Sequence, residues 1–343
     1  PNRVFFMNFL HVVLIGYIAF HYLDIEMSAS RAALFGVGAI AIGVGLLYKF
    51  QGKLLYQNNA MPMYKKPSDN PEGYRNPGEH GLEYRNVYFQ TPDGLRLHAW
   101  FIKAVDQNWR KKHPTLLFFH ANAGNMGFRL PDIESLMRNL PINLFIISYR
   151  GYGESQGEPD EEGLIVDAEA AWQYLKEIPE VDMDQILVYG RSLGGAVAID
   201  VTQKHDTEIK GLILENTFTS ISDVVDTVFP LLRHLKKWVL TIRWESIEKI
   251  KTIRCPILFM SGLMDELIPR KQMEALYAAA KSSKLTKLMT IVNGTHNDTL
   301  VKGGQQYMMD FRDFMETVLG SEAASDSDDD SLADLSSDSQ QRL

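Results

Sequence analysis

The chain has 343 residues, 45% hydrophobic and 23% charged, with a formal net charge of −8. Those totals exclude a chain disordered throughout, a collagen-like repeat and a strongly basic nucleic-acid binder. The charge is uneven: residues 321–343 carry seven acids against Arg342, a net of −6, so residues 1–320 hold only −2. A lone cysteine, Cys255, excludes an intrachain disulfide and a cysteine-based zinc set, and no metal or cofactor is expected.

In chain order, two apolar runs come first. Residues 4–23 are long enough to cross a bilayer, although Asn8, His11 and His21 interrupt them. Residues 32–48 contain no charge, and Gly36, Gly38, Gly43 and Gly45 suit close helix packing in lipid. A cleaved signal peptide would have an unusually long apolar core and would not be followed at once by a second apolar run. A buried soluble hairpin is the other alternative. An uncleaved membrane anchor over 1–50, of one or two helices, is the favoured reading. If both runs span, Arg3 and the lysines at 49, 53, 65 and 66 share one side, which the positive-inside rule makes cytoplasmic.

After a connector over 51–83, the pattern changes to alternating strands and helices. Strands are expected at 84–90, 95–102, 115–120, 143–149, 186–190, 211–215, 256–261 and 287–292. Several are continuous apolar runs (LLFF, LFIIS, ILVY, ILFM), as in a sheet covered on both faces. Helical patterns fall at 129–140, 160–177, 193–204, 270–281 and 304–318. The first two strands flank Pro92-Asp93-Gly94 and read as a hairpin, whereas the others read as parallel βαβ units. Residues 217–254 break the rhythm and are expected to form a small helical cap. The main domain therefore runs over 84–320, and the acidic, serine-rich tail at 321–343 should be disordered.

The segment Gly190-Arg191-Ser192-Leu193-Gly194 places G-x-S-x-G between an apolar strand and an Ala-rich helix, the setting in which a serine is held exposed on a sharp turn. Alone, the pattern also fits an ordinary turn with a capping serine. A serine hydroxyl is a weak nucleophile near neutral pH and needs a base, itself oriented by an acid. Two later strands end in loops carrying Asp265 and His296, and neighbouring strands lie only about 4.7–4.9 Å apart. Ser192, Asp265 and His296 are therefore the expected triad. Glu215 is the rival acid, and Glu266 and Asp298 are weaker ones. The oxyanion donors are expected to be the backbone amides of Leu193 and of Asn122, the latter in the small-residue loop after strand 115–120. His120 is expected to support that loop. His98, His113, His205 and His234 form no metal-type cluster.

Taken together, Tyr48-Lys49-Phe50-Gln51, His120-Ala121-Asn122-Ala123-Gly124-Asn125, Tyr149-Arg150-Gly151-Tyr152-Gly153, Gly190 to Ile199, Glu215 to Phe218 and Gly294 to Thr299 resemble the α/β-hydrolase superfamily, and within it the bud-emergence-like serine hydrolases. The resemblance covers about residues 45–320. It implies an α/β-hydrolase fold, with a mostly parallel sheet of about eight strands, helices on both faces, a small cap and an N-terminal transmembrane segment. It also implies catalysis by Ser192, Asp265 and His296, and a single-pass anchor with the catalytic part outside the cytoplasm, against the two-helix count. Asn293 and Asn297 stand in glycosylation sequons, weak support for that side. Two positions depart from the family pattern: Ala121 where glycine is usual, and Ser148 where aspartate is common.

The expected activity is hydrolysis of a carboxylic ester or thioester through an acyl-enzyme. The apolar cap and the anchor point to the bilayer and to a lipid or acylated-protein substrate, with no role for nucleic acid. The alternative from another class is a catalytically silent binding or scaffold protein at a membrane.

Overall fold

Each of the central strands is apolar on alternate residues toward both faces, so each must be covered twice. The computed structural model describes residues 29–105, 112–230 and 233–320, and of residues 29–37, 39 and 40 only the backbone. The strands are β1 (Tyr84–Gln90), β2 (Arg96–Ile102), β3 (Thr115–Phe119), β4 (Asn143–Ser148), β5 (Ile186–Arg191), β6 (Gly211–Glu215), β7 (Ile257–Gly262) and β8 (Thr286–Ile291). They form one sheet in the order β1-β2-β4-β3-β5-β6-β7-β8. β1 and β2 pair antiparallel, as does β2 with β4, and every pair from β4 to β8 is parallel. The expected α/β architecture with about eight strands is present.

In β3, Leu117 and Phe119 face one core, while Leu116 and Phe118 face the other. The helices are α1 (Ala29–Leu55), α2 (Leu130–Asn139), α3 (Glu161–Leu175), α4 (Leu193–Lys204), α5 (Ile221–Val228), α6 (Lys236–Val239), α7 (Ser246–Lys249), α8 (Arg270–Ala279) and α9 (Thr299–Leu319). α3, α4 and α8 cover the first face, through residues such as Trp172, Val197 and Leu276. α2 and α9 cover the second, through Ile133, Leu136, Tyr307 and Phe311. Burying each such side chain contributes about 1.5–3 kcal/mol.

Two expectations need amending. The last helix begins five residues earlier than its apolar pattern, at Thr299, and its axis breaks at Gly304 (φ 50°, ψ −128°). The Gly303-Gly304 pair ends one helical turn before the periodic stretch starts. The expected span at 4–23 and the tail at 321–343 lie outside the described residues. The span expected at 32–48 falls within the 27-residue α1. Among the described residues, no helix is long and apolar enough to cross a membrane. The connector at 51–83 packs onto the domain: Tyr56 is buried and accepts a hydrogen bond from the Trp244 indole at 3.1 Å.

Candidate active site

The apolar run of β5 carries the chain to the edge of the sheet, where Ser192 turns it into α4 with φ 56° and ψ −120°. That conformation costs an ordinary residue about 1–3 kcal/mol and persists only where the surroundings enforce it. Here they do. A Cβ on Gly190 would lie 2.2 Å from the Gly194 carbonyl oxygen, and one on Gly194 would lie 2.0 Å from that of Phe119. Only glycine at both positions lets strand and helix close on this turn. The Ser192 amide donates to Glu215 O at 3.0 Å, and its carbonyl accepts from Thr217 Oγ1 at 2.7 Å.

Parallel strands deliver the partners to the same edge. β7 ends at Gly262 and the chain turns to Asp265; β8 ends at Ile291 and the next loop carries His296. Asp265 Oδ1 accepts from the amides of Leu267 and Ile268 at 2.9 and 2.8 Å, which fixes the carboxylate. Its other oxygen, Oδ2, lies 2.8 Å from His296 Nδ1, and His296 Nε2 lies 3.1 Å from Ser192 Oγ. Since an ionised carboxylate only accepts, Nδ1 carries the hydrogen and Nε2 presents a lone pair to the serine hydroxyl. Ser192, Asp265 and His296 are 7%, 7% and 5% exposed, so these contacts operate largely shielded from water.

Two of the rival acids, Glu215 and Asp298, have other partners. Glu215 Oε2 accepts from the hydroxyls of Tyr189 and Tyr307, both at 2.6 Å, and Oε1 pairs with Arg191 at 2.7 Å. It belongs to a buried network beneath the turn. Asp298 accepts from the Thr295 amide at 2.6 Å, and that bond holds its carboxyl below the usual carboxylate range.

Leu193 opens α4 directly after the serine, and among the described residues neither its backbone amide nor that of Asn122 has a hydrogen-bond acceptor. The Asn122 peptide is held from behind. Ala121 O accepts from His120 Nδ1 at 2.7 Å and from Arg129 Nη2 at 3.3 Å. In a trans peptide the carbonyl and the following N–H point oppositely, so pinning Ala121 O turns the Asn122 N–H the other way. Burial, with Arg129 nearby, pushes His120 down to about 3, which keeps it neutral. Its supporting role in this loop is therefore hydrogen bonding by a neutral ring. The Asn122 side chain is itself engaged: Oδ1 accepts from Gln57 N at 3.0 Å and Tyr152 Oη at 2.7 Å, and Nδ2 donates to Leu55 O. Ser148 is buried beneath the following loop. That loop is fixed instead by Arg150, whose amide and Nε bond Asp167 at 2.6 and 2.9 Å and whose Nη1 bonds Asp93 at 2.9 Å.

One site residue was not singled out from the sequence for its position. Asn216, at φ 45° just past β6, donates to Thr299 Oγ1 (2.7 Å), Thr295 O (3.1 Å) and His296 O (3.3 Å), and accepts from Gly262 N at 2.9 Å. It bridges the acid strand to the histidine loop. The available signal was an Asn directly after a buried strand, a residue type that tolerates the left-handed region.

A protein-family model described as serine aminopeptidase, S33 (Hydrolase_4) matches residues 111–252. The chain is 38% identical over 299 residues to alpha/beta hydrolase domain-containing protein WAV2 of Arabidopsis thaliana, covering 83% of this chain and 94% of that protein. It is 42% identical over 279 residues to protein bem46 of Schizosaccharomyces pombe (80% and 88%). It is 35% identical over 293 residues to the uncharacterized membrane protein YNL320W of Saccharomyces cerevisiae (83% and 96%). Among solved structures, the Pyrococcus furiosus esterase Pf2001 superposes with a TM-score of 0.59 at 20% identity, over 71% of this chain and 96% of that one, a likeness of fold.

Proposed function

The chain belongs to the α/β-hydrolase family that includes WAV2 and bem46, and from that premise we propose that it is a membrane-anchored serine hydrolase cleaving carboxylic esters or thioesters. The observation that carries this reading is the continuous set of contacts from Asp265 through His296 to Ser192, at 2.8 and 3.1 Å. The strained backbone at Ser192 supports it further, because a non-catalytic scaffold has no use for a hydroxyl held in that conformation. That fact favours catalysis over the silent alternative.

In the proposed reaction His296 Nε2 takes the Ser192 proton as Oγ bonds to the acyl carbon. Negative charge then develops on the carbonyl oxygen, where the Leu193 and Asn122 amides stabilise it. Asp265 stabilises the imidazolium and keeps its ring in the required orientation. The imidazolium passes its proton to the leaving alcohol or thiol, and the carbon–oxygen or carbon–sulfur bond breaks. Water then attacks the acyl-serine by the same sequence, with His296 as base, and the acid leaves.

Anchoring is supported by the uncharged apolar run 32–48 of the sequence, and by the name of the yeast relative as a membrane protein. A substrate held in or on the bilayer follows from that arrangement: a lipid ester or an acylated protein. Ser192→Ala should abolish fluorophosphonate labelling and turnover of a short p-nitrophenyl ester while leaving the protein folded. Labelling of that variant at the parental rate would exclude Ser192 as the nucleophile. Labelling of intact membranes, with and without permeabilisation, reports which side the site faces.

A further inference from the structure

The last turns of α1 meet the helical segment between β6 and β7 at a polar joint. Gln51 Nε2 donates to Val239 O at 3.1 Å, and its Oε1 accepts from the amides of Thr241 and Ile242 at 2.8 and 3.3 Å. Around this joint large apolar side chains face outward. Trp238 is 75% exposed and Tyr48 57%, and Phe50, Leu54, Phe229 and Leu235 are each more than a third exposed. Of the nineteen exposed large hydrophobic residues in the described parts of the chain, eight lie on α1 and on 229–238. Such concentration marks an interaction surface, whereas single exposed apolar residues do not.

The charges identify the partner. Residues 45–68 and 229–244, the two segments that Gln51 joins, contain Lys49, Lys53, Lys65, Lys66, Arg233, Lys236, Lys237 and Arg243 and not one Asp or Glu, in a chain with 43 acids and 35 bases. One acid lies close by: Asp226 pairs with Lys236 at 2.7 Å and with Arg233 at 3.9 Å. Lysines also sit against the aromatic rings: Lys237 Nζ lies 5.2 Å from the Trp238 ring centre and Lys49 Nζ 5.6 Å from that of Phe50. An amphipathic ring with an ammonium beside it is the pairing favoured at headgroup depth, ring toward the acyl chains and charge toward phosphate. The patch is also continuous with the apolar run 32–48, which ends one residue before Lys49. A protein partner would have to supply acids and an apolar face together. A bilayer with anionic headgroups supplies both at the depth where that run ends.

We propose that Phe229, residues 233–244 and the C-terminal turns of α1 form one docking face that lies on an anionic lipid surface, so that the domain rests against the bilayer. This rests on the membrane-anchoring reading given above. The docked face adjoins the site, because Leu55 and Gln57 at the end of α1 hold the Asn122 side chain. An ester delivered from the lipid surface therefore enters beside the oxyanion loop without crossing open water.

The test uses the full chain reconstituted in vesicles of phosphatidylcholine with phosphatidylserine. A Trp238→Cys variant carries an environment-sensitive nitrobenzoxadiazole label. A Met309→Cys variant, on α9 across the sheet, serves as the control site; Met309 is half-exposed, and the native Cys255 is buried. The expected result is a blue-shifted label at 238 that doxyl-lipids quench, with neither effect at 309, and loss of most quenching in phosphatidylcholine alone or with Lys49→Glu/Lys237→Glu. Circular dichroism melts of the labelled variants confirm folding. A label at 238 no more quenched than that at 309, in protein that resists carbonate extraction, overturns the docking face and leaves the anchor intact. Release of the protein by carbonate, with both labels unquenched, overturns the anchor and the docking face together. Equal quenching at 238 with and without phosphatidylserine overturns the anionic component.

Discussion

Asn216 offers the sharpest test of how the site is held together. It is 1% exposed and ties Gly262, on the acid strand, to Thr295, His296 and Thr299, on the histidine loop. Asn216→Ala removes these bonds and leaves the Gly262 amide buried without its acceptor, a cost of about 1–3 kcal/mol, with about 0.5–1.5 kcal/mol for each other bond lost. Alanine also fits the left-handed backbone at φ 45° poorly, which adds about 1–2 kcal/mol. Contributions of neighbouring bonds are not additive, so the variant should lose at least about 3 kcal/mol in urea unfolding, followed by tryptophan fluorescence. The effect on rate is separable from stability. A shift of about 1 Å in the histidine loop costs on the order of 100-fold. Turnover of p-nitrophenyl acetate below the melting range should therefore show kcat falling by about that factor, with KM little changed. Asn216→Asp keeps an acceptor for Gly262 but places a negative charge behind His296. That charge favours the imidazolium, so the acid limb of the kcat/KM profile should move to higher pH. Unchanged kcat in Asn216→Ala, with stability within about 0.5 kcal/mol of the parent, would remove Asn216 from any positioning role.

Ser192→Gly should raise stability by about 1–2 kcal/mol, since glycine accepts φ 56° without strain; a calorimetric melting temperature below that of Ser192→Ala would contradict the strain. Gly194→Ala puts a methyl 2.0 Å from the Phe119 carbonyl oxygen, which cannot yield without moving β3. That variant should be destabilised by about 1–3 kcal/mol or more and be cut readily by protease, and a parental digestion pattern would show that the turn relaxes. Acid should destabilise the fold through two buried histidines. Burial lowers His98 to about 4 and His120 to about 3, so between pH 6.5 and 4 the unfolded chain binds protons that the folded one refuses. Stability is fully present above about 6.5 and falls by about 1.4 kcal/mol per histidine for each unit below it. Urea midpoints at pH 7 and 5 measure the loss, and a His120→Asn variant with an undiminished slope would clear His120 of any share in it.

Much of this molecule is written in local pattern. Continuous apolar runs such as LFIIS and ILVY mark strands covered on both faces, and the two cores confirm that covering. Helix α4 at Leu193–Lys204 coincides with its expected range because Gly-Arg-Ser-Leu-Gly specifies a turn and an Ala-rich segment follows it. The N-terminal edge of α9 was less legible: the Gly303-Gly304 pair hides the turn that precedes it.

The partners of the site residues are another matter. From sequence, Glu215 closes the expected strand 211–215 and Asp265 falls in the loop after 256–261, which ranks the two acids without showing what either one meets. Glu215 is still in the strand, where its side chain meets Tyr189, Tyr307 and Arg191; Asp265 lies beyond the strand end, where the loop turns its carboxylate to His296. Likewise, no pattern along the chain announces that Arg129 orients the Asn122 peptide, that Asn216 bridges two loops, or that Leu55 and Gln57 at the end of α1 hold Asn122. Periodicity records which side of an element a residue occupies, and sequence alone reaches that far. Which groups meet across 31, 65 or 104 residues of chain depends on strand order and loop direction, and hydrogen bonds of that reach leave no repeat in the sequence by which to recognise them.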